Sequence, residues 1–142
     1  MTEIQSYLFD FHRTPNFFQN WNNKFKVLEM DGTSLNFQLV FSSYGSDNID
    51  ECLNGDVIDT SVVTNRYTVD CALKFDATTD IVSIGADVTW SLGSTIVPLK
   101  SVFLQHKATG TVMGYSIHMN AFEVTNQVKL EKDTILWSFE DG

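Results

Sequence analysis

Apolar residues recur along this chain mostly at every second position, the spacing of a strand with one buried face. The strictest case is Tyr67, Val69, Cys71, Leu73 and Phe75 set against Thr68, Asp70, Ala72 and Lys74. It predicts one strand over 67–75 with Cys71 pointing inward. Two further runs, 25–29 and 33–41, flank Met30, Asp31 and Gly32 and predict a hairpin. A two-residue Asp31–Gly32 turn opposes Val27 to Asn36 and Phe25 to Gln38. A three-residue loop with a left-handed Gly32 faces Val27 with Leu35 and Phe25 with Phe37 instead. Only the second register gathers the apolar side chains on one face, so a glycine bulge is expected.

Residues 94–142 continue the pattern as a meander of short β-rich runs separated by small turns. The turn at 107–110 leaves two registers open, one pairing Leu104 with Met113 and the other Phe103 with Tyr115. Pro98 marks an edge or a bend, because it has no amide to donate. Asn126 and Gln127 interrupt the alternation and predict a bulge, Lys132 and Asp133 a turn, and Ile135, Trp137 and Phe139 a last inward face. Residues 76–80 read as a turn. Gly85, inside an apolar run over 81–92, reads as a bulge or a close backbone approach.

Two stretches break the pattern. Residues 42–60 are loop-rich, with an Asp47 cap, Asp50 and Glu51 in a first turn and Gly55 as a stop, which predicts one or two helical turns near 47–54. Residues 57–63 read as extended. Residues 1–23 mix Tyr7, Phe9, Phe11, Phe17, Phe18 and Trp21 with amides, and Pro15 interrupts them. They form either a first strand and loop packed on the domain or an N-terminal arm docked on a neighbouring subunit. About eight to nine short strands with frequent turn signals indicate an all-β fold, an antiparallel β-sandwich or jelly-roll-like domain spanning 1–142.

Composition narrows the partners. The 142 residues suffice for one self-standing core. With 9 basic against 18 acidic residues the formal charge is −9. Nucleic acid and anionic membranes, which need a basic footprint, are therefore not expected partners. The first residues carry neither a basic nor an apolar leader segment, so no signal peptide is expected. Only Cys52 and Cys71 are present, too few for a disulfide scaffold, which fits synthesis in a reducing cytoplasm.

Candidate chemistry is sparse. His12, His106 and His118 lack metal-ligand spacing to either cysteine, and His106 and His118 approach each other across the 107–110 hairpin only if its strands splay. Cys71 reads as core and Cys52 has no basic neighbour to activate it. Asp70, Asp87 and Glu123 form a carboxylate pair only if a cleft brings them together. The acids Asp47, Asp50, Glu51, Asp56 and Asp59, free of Lys or Arg, form a candidate calcium loop, with a solvated acidic loop as the plainer reading. Phe17, Phe18 and Trp21 among asparagines form a candidate interaction site, either stacking on a sugar or covering the core. Trp90, Tyr115 and Trp137 lie on alternating strands and read as core. No catalytic residue, metal or cofactor is expected.

The runs 99–104 (Leu99, Lys100, Ser101, Val102, Phe103, Leu104), 110–116 (Gly110, Thr111, Val112, Met113, Gly114, Tyr115, Ser116) and 134–139 (Thr134, Ile135, Leu136, Trp137, Ser138, Phe139) carry a resemblance. This last third of the chain resembles small virion structural proteins of tailed bacteriophages, the β-sandwich head-decoration, head-fibre or baseplate components. The resemblance implies a non-enzymatic protein without a cofactor, made in the host cytoplasm and assembled into a symmetric particle with copies of itself or other virion proteins. It carries over no functional residue. The alternative is a carbohydrate- or receptor-binding module with a host surface glycan as partner, its site near Phe17–Trp21 or in 42–60.

Overall fold

The computed structural model describes the backbone of residues 4–6, 11–21, 23–46 and 48–138, and the side chains of 11–21, 23–46, 48–89, 99–117 and 129–136. The chain opens with strands β1 (Ile4–Ser6) and β2 (His12–Arg13) and a single helical turn α1 (Phe17–Asn20). A 3-10 turn at Val27–Glu29 leads to β3 (Phe37–Ser42), and a second at Ile49–Glu51 leads to the small hairpin β4 (Leu53–Asn54) and β5 (Val57–Ile58). Then come β6 (Arg66–Cys71), β7 (Leu73–Asp76), β8 (Ile81–Ile84), the long strands β9 (Val88–His106) and β10 (Val112–Leu130), and β11 (Ile135–Ser138). The fold is all-β and sandwich-like. Among the described residues no helix is long and apolar enough to cross a membrane.

The larger sheet runs β1-β10-β9-β3-β6, with β2 also on β10; a three-stranded sheet runs β11-β8-β7. Pairing is antiparallel except at β1, which lies parallel to β10 with Ile4 opposite Gln127. Of the N-terminal segment, β1 and β2 thus pair with β10 of the same chain. The Thr14 hydroxyl donates to the Val112 carbonyl at 3.0 Å and the Thr14 amide to the Met113 carbonyl at 3.0 Å.

β3 sits between β9 and β6, and alternate residues feed opposite faces. Phe37, Leu39 and Phe41 join Leu104, Met113 and Cys71 in one core, closed by Leu73, Val82 and Ile84 of the smaller sheet and by Phe17, Phe25 and Met30. Val40, Phe103 and Val112 form a second core on the other face, closed by Ile49, Cys52 and Val63 of the 43–63 excursion. Being buried on both sides is why β3 reads as a nearly continuous apolar run.

Several sequence expectations are corrected. Residues 25–29 form no strand, so neither proposed hairpin register exists. Glu29 folds back to accept the Lys26 amide at 3.0 Å, closing a 3-10 turn, while the Asp31 carboxylate accepts the Thr33 and Ser34 amides at 2.9 and 2.7 Å. These local bonds satisfy backbone donors that a ladder would otherwise take, and they leave Leu28 90% exposed. Gly32 is left-handed as expected, with φ 84°. The 67–75 strand divides at Ala72: β6 stays with β3, and β7 crosses to β8. Cys71 is buried as expected, and β6 lies beside β3 in one sheet.

The meander is two 19-residue strands rather than several short ones. Of its two open registers, Phe103 opposite Tyr115 is the one formed, because Met113 is an extra residue between the Val112–Gln105 and Gly114–Leu104 pairs. Register shifts also fall around Asn126, as expected. β3 reaches β9 only from Ser101 to His106, so Pro98 lies where β9 has β10 alone beside it among the described residues. In β11 the expected face is reversed, with Ile135 62% exposed and Leu136 6%; Phe139 lies outside the described residues. The 42–60 stretch holds one 3-10 turn capped by Asn48, whose side chain accepts the Asp50 amide at 3.1 Å, while Asp47 lies outside the described residues. Gly55 turns the β4–β5 hairpin with φ 68° instead of stopping a helix, and only Val57–Ile58 of 57–63 is strand. The turns at 17–20 and 27–29 had no clear signal.

The close approach at Gly85 is real: a Cβ there would lie 2.6 Å from the Gly32 Cα and 2.7 Å from its carbonyl oxygen. Gly85→Ala is expected to destabilise the fold by about 3 kcal/mol through overpacking against backbone. Gly55→Ala, with nothing within 4 Å of the new Cβ, should cost about 1 kcal/mol for its left-handed φ. Urea denaturation of the two variants checks the contrast.

Candidate functional site

A solvent-open groove of about 260 Å³ lies on the sheet face beneath the β4–β5 hairpin. Its floor comes from the ladder. Gln38 of β3 is the register partner of Gln105 on β9, and Val40 that of Thr68 on β6. Paired residues share a face, so the two amides lie side by side. Arg66 and Thr68 form one wall, and Val57, Ile58, Thr60 and Gly110 the other. Among the described residues Arg66 makes no ion pair, although the chain has twice as many acids as bases. The acid of the same strand, Asp70, is bonded to Lys107 at 3.0 Å. A free guanidinium, two amides, two hydroxyls and an apolar lip suit a polar, hydroxylated or carboxylated ligand.

Next to Gln105, at the C-terminal end of β9 and on its other face, His106 is 3% exposed. Its Nε2 lies 2.8 Å from Glu29 Oε2 and its Nδ1 2.8 Å from Thr109 Oγ1. Burial raises the Glu29 pKa, but the bonds from His106 and the Lys26 amide, with the neighbouring positive charge, outweigh that and leave it lowered. An ionised Glu29 only accepts, so Nε2 carries the proton. Hydroxyl, imidazole and carboxylate in a row resemble the order of a nucleophile triad. Here the Thr109 oxygen is also engaged within its own turn, 2.9 Å from Thr111 Oγ1 and accepting the Thr111 amide at 3.3 Å. The network pins the 27–29 turn to the β9–β10 hairpin.

The aromatic trio is divided. Phe17, 1% exposed, stacks with Trp21 at 5.6 Å and meets Phe25 at 5.2 Å, while Trp21 meets Phe75 at 5.5 Å. Phe17 lies in the core and Trp21 packs against it, which is the core-covering reading of these two rings. Phe18 alone is presented, 55% exposed with the Arg13 guanidinium 4.8 Å over its ring. The asparagines meant to accompany them are engaged: Asn16 donates to Asp56 at 2.9 Å and Asn23 to the Gln19 carbonyl at 2.6 Å. Asn20 is buried, and its Nδ2 has no partner among the described residues.

Among the described residues the acids of the candidate ion loop are not gathered. Asp56 takes the Asn16 amide, Glu51 the Ser46 hydroxyl at 2.8 Å and Asp59 the Ser61 hydroxyl at 2.6 Å, while Asp50 is exposed. Among the described residues no three His, Cys, Asp or Glu side chains could hold a metal ion. Asp87 accepts the Lys132 amide at 2.7 Å, away from Asp70. The side chains of Glu123, His118, Trp90 and Trp137 lie outside the described residues. Burial raises both thiols, with the Asp70 charge adding to it at Cys71, which reaches about 12.

Arg66, Gln38 and Gln105 escaped sequence reading. The outward face of the 67–75 alternation, extended one step back, passes through Arg66 and was the only available signal. Compared with protein families, curated proteins and solved structures, the chain matches no family, no curated protein and no solved structure.

Glu29→Gln removes the charge that His106 meets and is expected to destabilise the fold by about 1–2 kcal/mol at neutral pH. Because the folded-state pKa is lowered, the wild-type advantage is full above the ordinary glutamate pKa of 4.5 and is lost as pH falls through the lowered value. Chemical denaturation of both proteins between pH 3 and pH 7 measures that convergence.

Proposed function

We propose that this chain is a non-enzymatic structural protein of a tailed-bacteriophage virion, a head-decoration, head-fibre or baseplate component acting through protein–protein contacts. It is made in the host cytoplasm, resides in the particle and needs no cofactor. The observation that carries this is the open backbone of the larger sheet. From Val88 to Lys100, β9 has β10 on one side and, among the described residues, no strand on the other. β6 ends the same sheet at its other flank. Unpaired donors and acceptors along a strand template pairing with another chain, and assembly proteins draw adhesion from such edges. A tagged copy produced during infection by the parent phage should band with purified virions at a copy number set by particle symmetry, counted by quantitative mass spectrometry. A chain left wholly in the soluble fraction, and monomeric by light scattering, overturns the proposal.

The groove favours a second reading, a carbohydrate- or receptor-binding module whose ligand meets Arg66, Gln105 and Gln38. It borders Val57, Ile58 and Thr60, within the irregular stretch where sequence placed such a site. Arg66→Ala is expected to weaken glycan retention about tenfold or more, as loss of a bond to a charged group does. Silence of the wild-type chain on a glycan array removes this reading.

A further inference from the structure

β6 closes the larger sheet, and among the described residues nothing pairs its outer edge. Natural sheets guard such edges with bulges, prolines or very short strands. β6 has none of these: its register with β3 runs unbroken from Arg66 opposite Ser42 to Cys71 opposite Phe37, and its six residues include neither proline nor glycine; its charged residues, which also guard edges, are one of each sign, Arg66 and Asp70. Arg66, Tyr67, Thr68 and Asp70 are exposed and Val69 is half-buried.

The order Arg66, Tyr67, Thr68, Val69, Asp70 is complementary to itself about Thr68. We infer that β6 is a homodimerisation edge, on which a second copy pairs antiparallel about a two-fold axis at Thr68 and continues the sheet across the contact. This deepens the assembly role proposed above and rests on it. In that register Arg66 meets the partner's Asp70, Tyr67 meets the partner's Val69, and Thr68 meets its own copy. Opposite charges, an aromatic with a β-branched residue, and two threonines are the cross-strand pairs that stabilise antiparallel ladders. Parallel pairing in register sets Arg66 beside Arg66 and Asp70 beside Asp70. Antiparallel registers centred one residue away leave both charges opposite neutral residues. The charge pattern thus selects one arrangement.

The partner's Asp70 supplies the counter-charge that Arg66 lacks among the described residues. Asp70, already 3.0 Å from Lys107, can accept a second cation on its exposed carboxylate. A chain of charge −9 opposes its own association, so paired opposite charges at the contact matter more here than in a neutral protein. The contact is isologous and consumes one β6 edge per copy, so it closes as a dimer instead of growing a fibre.

Size-exclusion chromatography with light scattering on the full chain tests this. The wild type should run at twice the 16.0 kDa chain mass. Arg66→Asp and Asp70→Arg should each raise the dimer dissociation constant about tenfold or more, and the double swap should restore it, all three retaining the wild-type circular dichroism spectrum. As an independent readout, Thr68→Cys should give a disulfide-linked dimer on mild oxidation, since the native Cys52 and Cys71 are buried. A dimer unmoved by the single reversals, or a double swap that fails to restore it, or no cross-link at position 68, overturns the β6 contact. If such a chain still joins virions, the assembly role stands without this edge. A wild type monomeric at all concentrations that also fails to join virions removes both.

Discussion

A strand buried on both faces must find apolar cover above and below, and β3 imposes that demand on the whole chain. Phe37, Leu39 and Phe41 need one lid, and Val40 with its neighbour Phe103 needs another. The first is built by breaking the alternating strand at Ala72, so that β7 leaves the larger sheet and pairs with β8 beneath it. The second is built from the 43–63 excursion, whose Ile49, Cys52 and Val63 turn inward despite the polar residues around them. Paired through β9, the two cores share one ladder, and a shift of β3 by one residue would exchange their contents.

Local polar chemistry decides where strands do not form. Asp31 and Glu29 each gather backbone amides within a few residues and convert the expected hairpin arm into turns. Glu29 then reaches the buried His106 across 77 positions of sequence, so one side chain both ends a strand and fastens its replacement to the sheet. Serines and threonines serve the same purpose at Asp59 and Asp76, holding both carboxyls below the ordinary range. Among the described residues Arg66 makes no ion pair, at the groove and at the sheet edge alike. Both functional readings draw on that one residue.

Sequence periodicity conveyed the all-β class, the inward Cys71, the left-handed Gly32, the close approach at Gly85 and the bulge near Asn126. Each follows from residue type and its immediate neighbours. Sequence leaves the aromatic trio open between a surface platform and core cover because Phe17, Phe18 and Trp21 around one helical turn point in different directions, and only packing against Phe25 and Phe75 decides which are covered. The acidic stretch is likewise open in sequence, because clustering along a chain is not convergence in space. Asn16 and Ser46 lie outside the cluster yet claim Asp56 and Glu51.

Sequence by itself determined what each segment can do: which residues prefer to extend, where a turn is forced, which face of a strand is apolar. Those are short-range properties set by side-chain shape, backbone freedom and alternation. Tertiary structure alone decided which strands meet, that β6 and β7 part at Ala72, and that Gln38, Gln105 and Arg66 share a groove. It also left one regular edge of complementary charge facing outward. These depend on contacts between residues far apart in the chain, whose pairing is selected by the joint burial of two cores, a condition that no single segment carries.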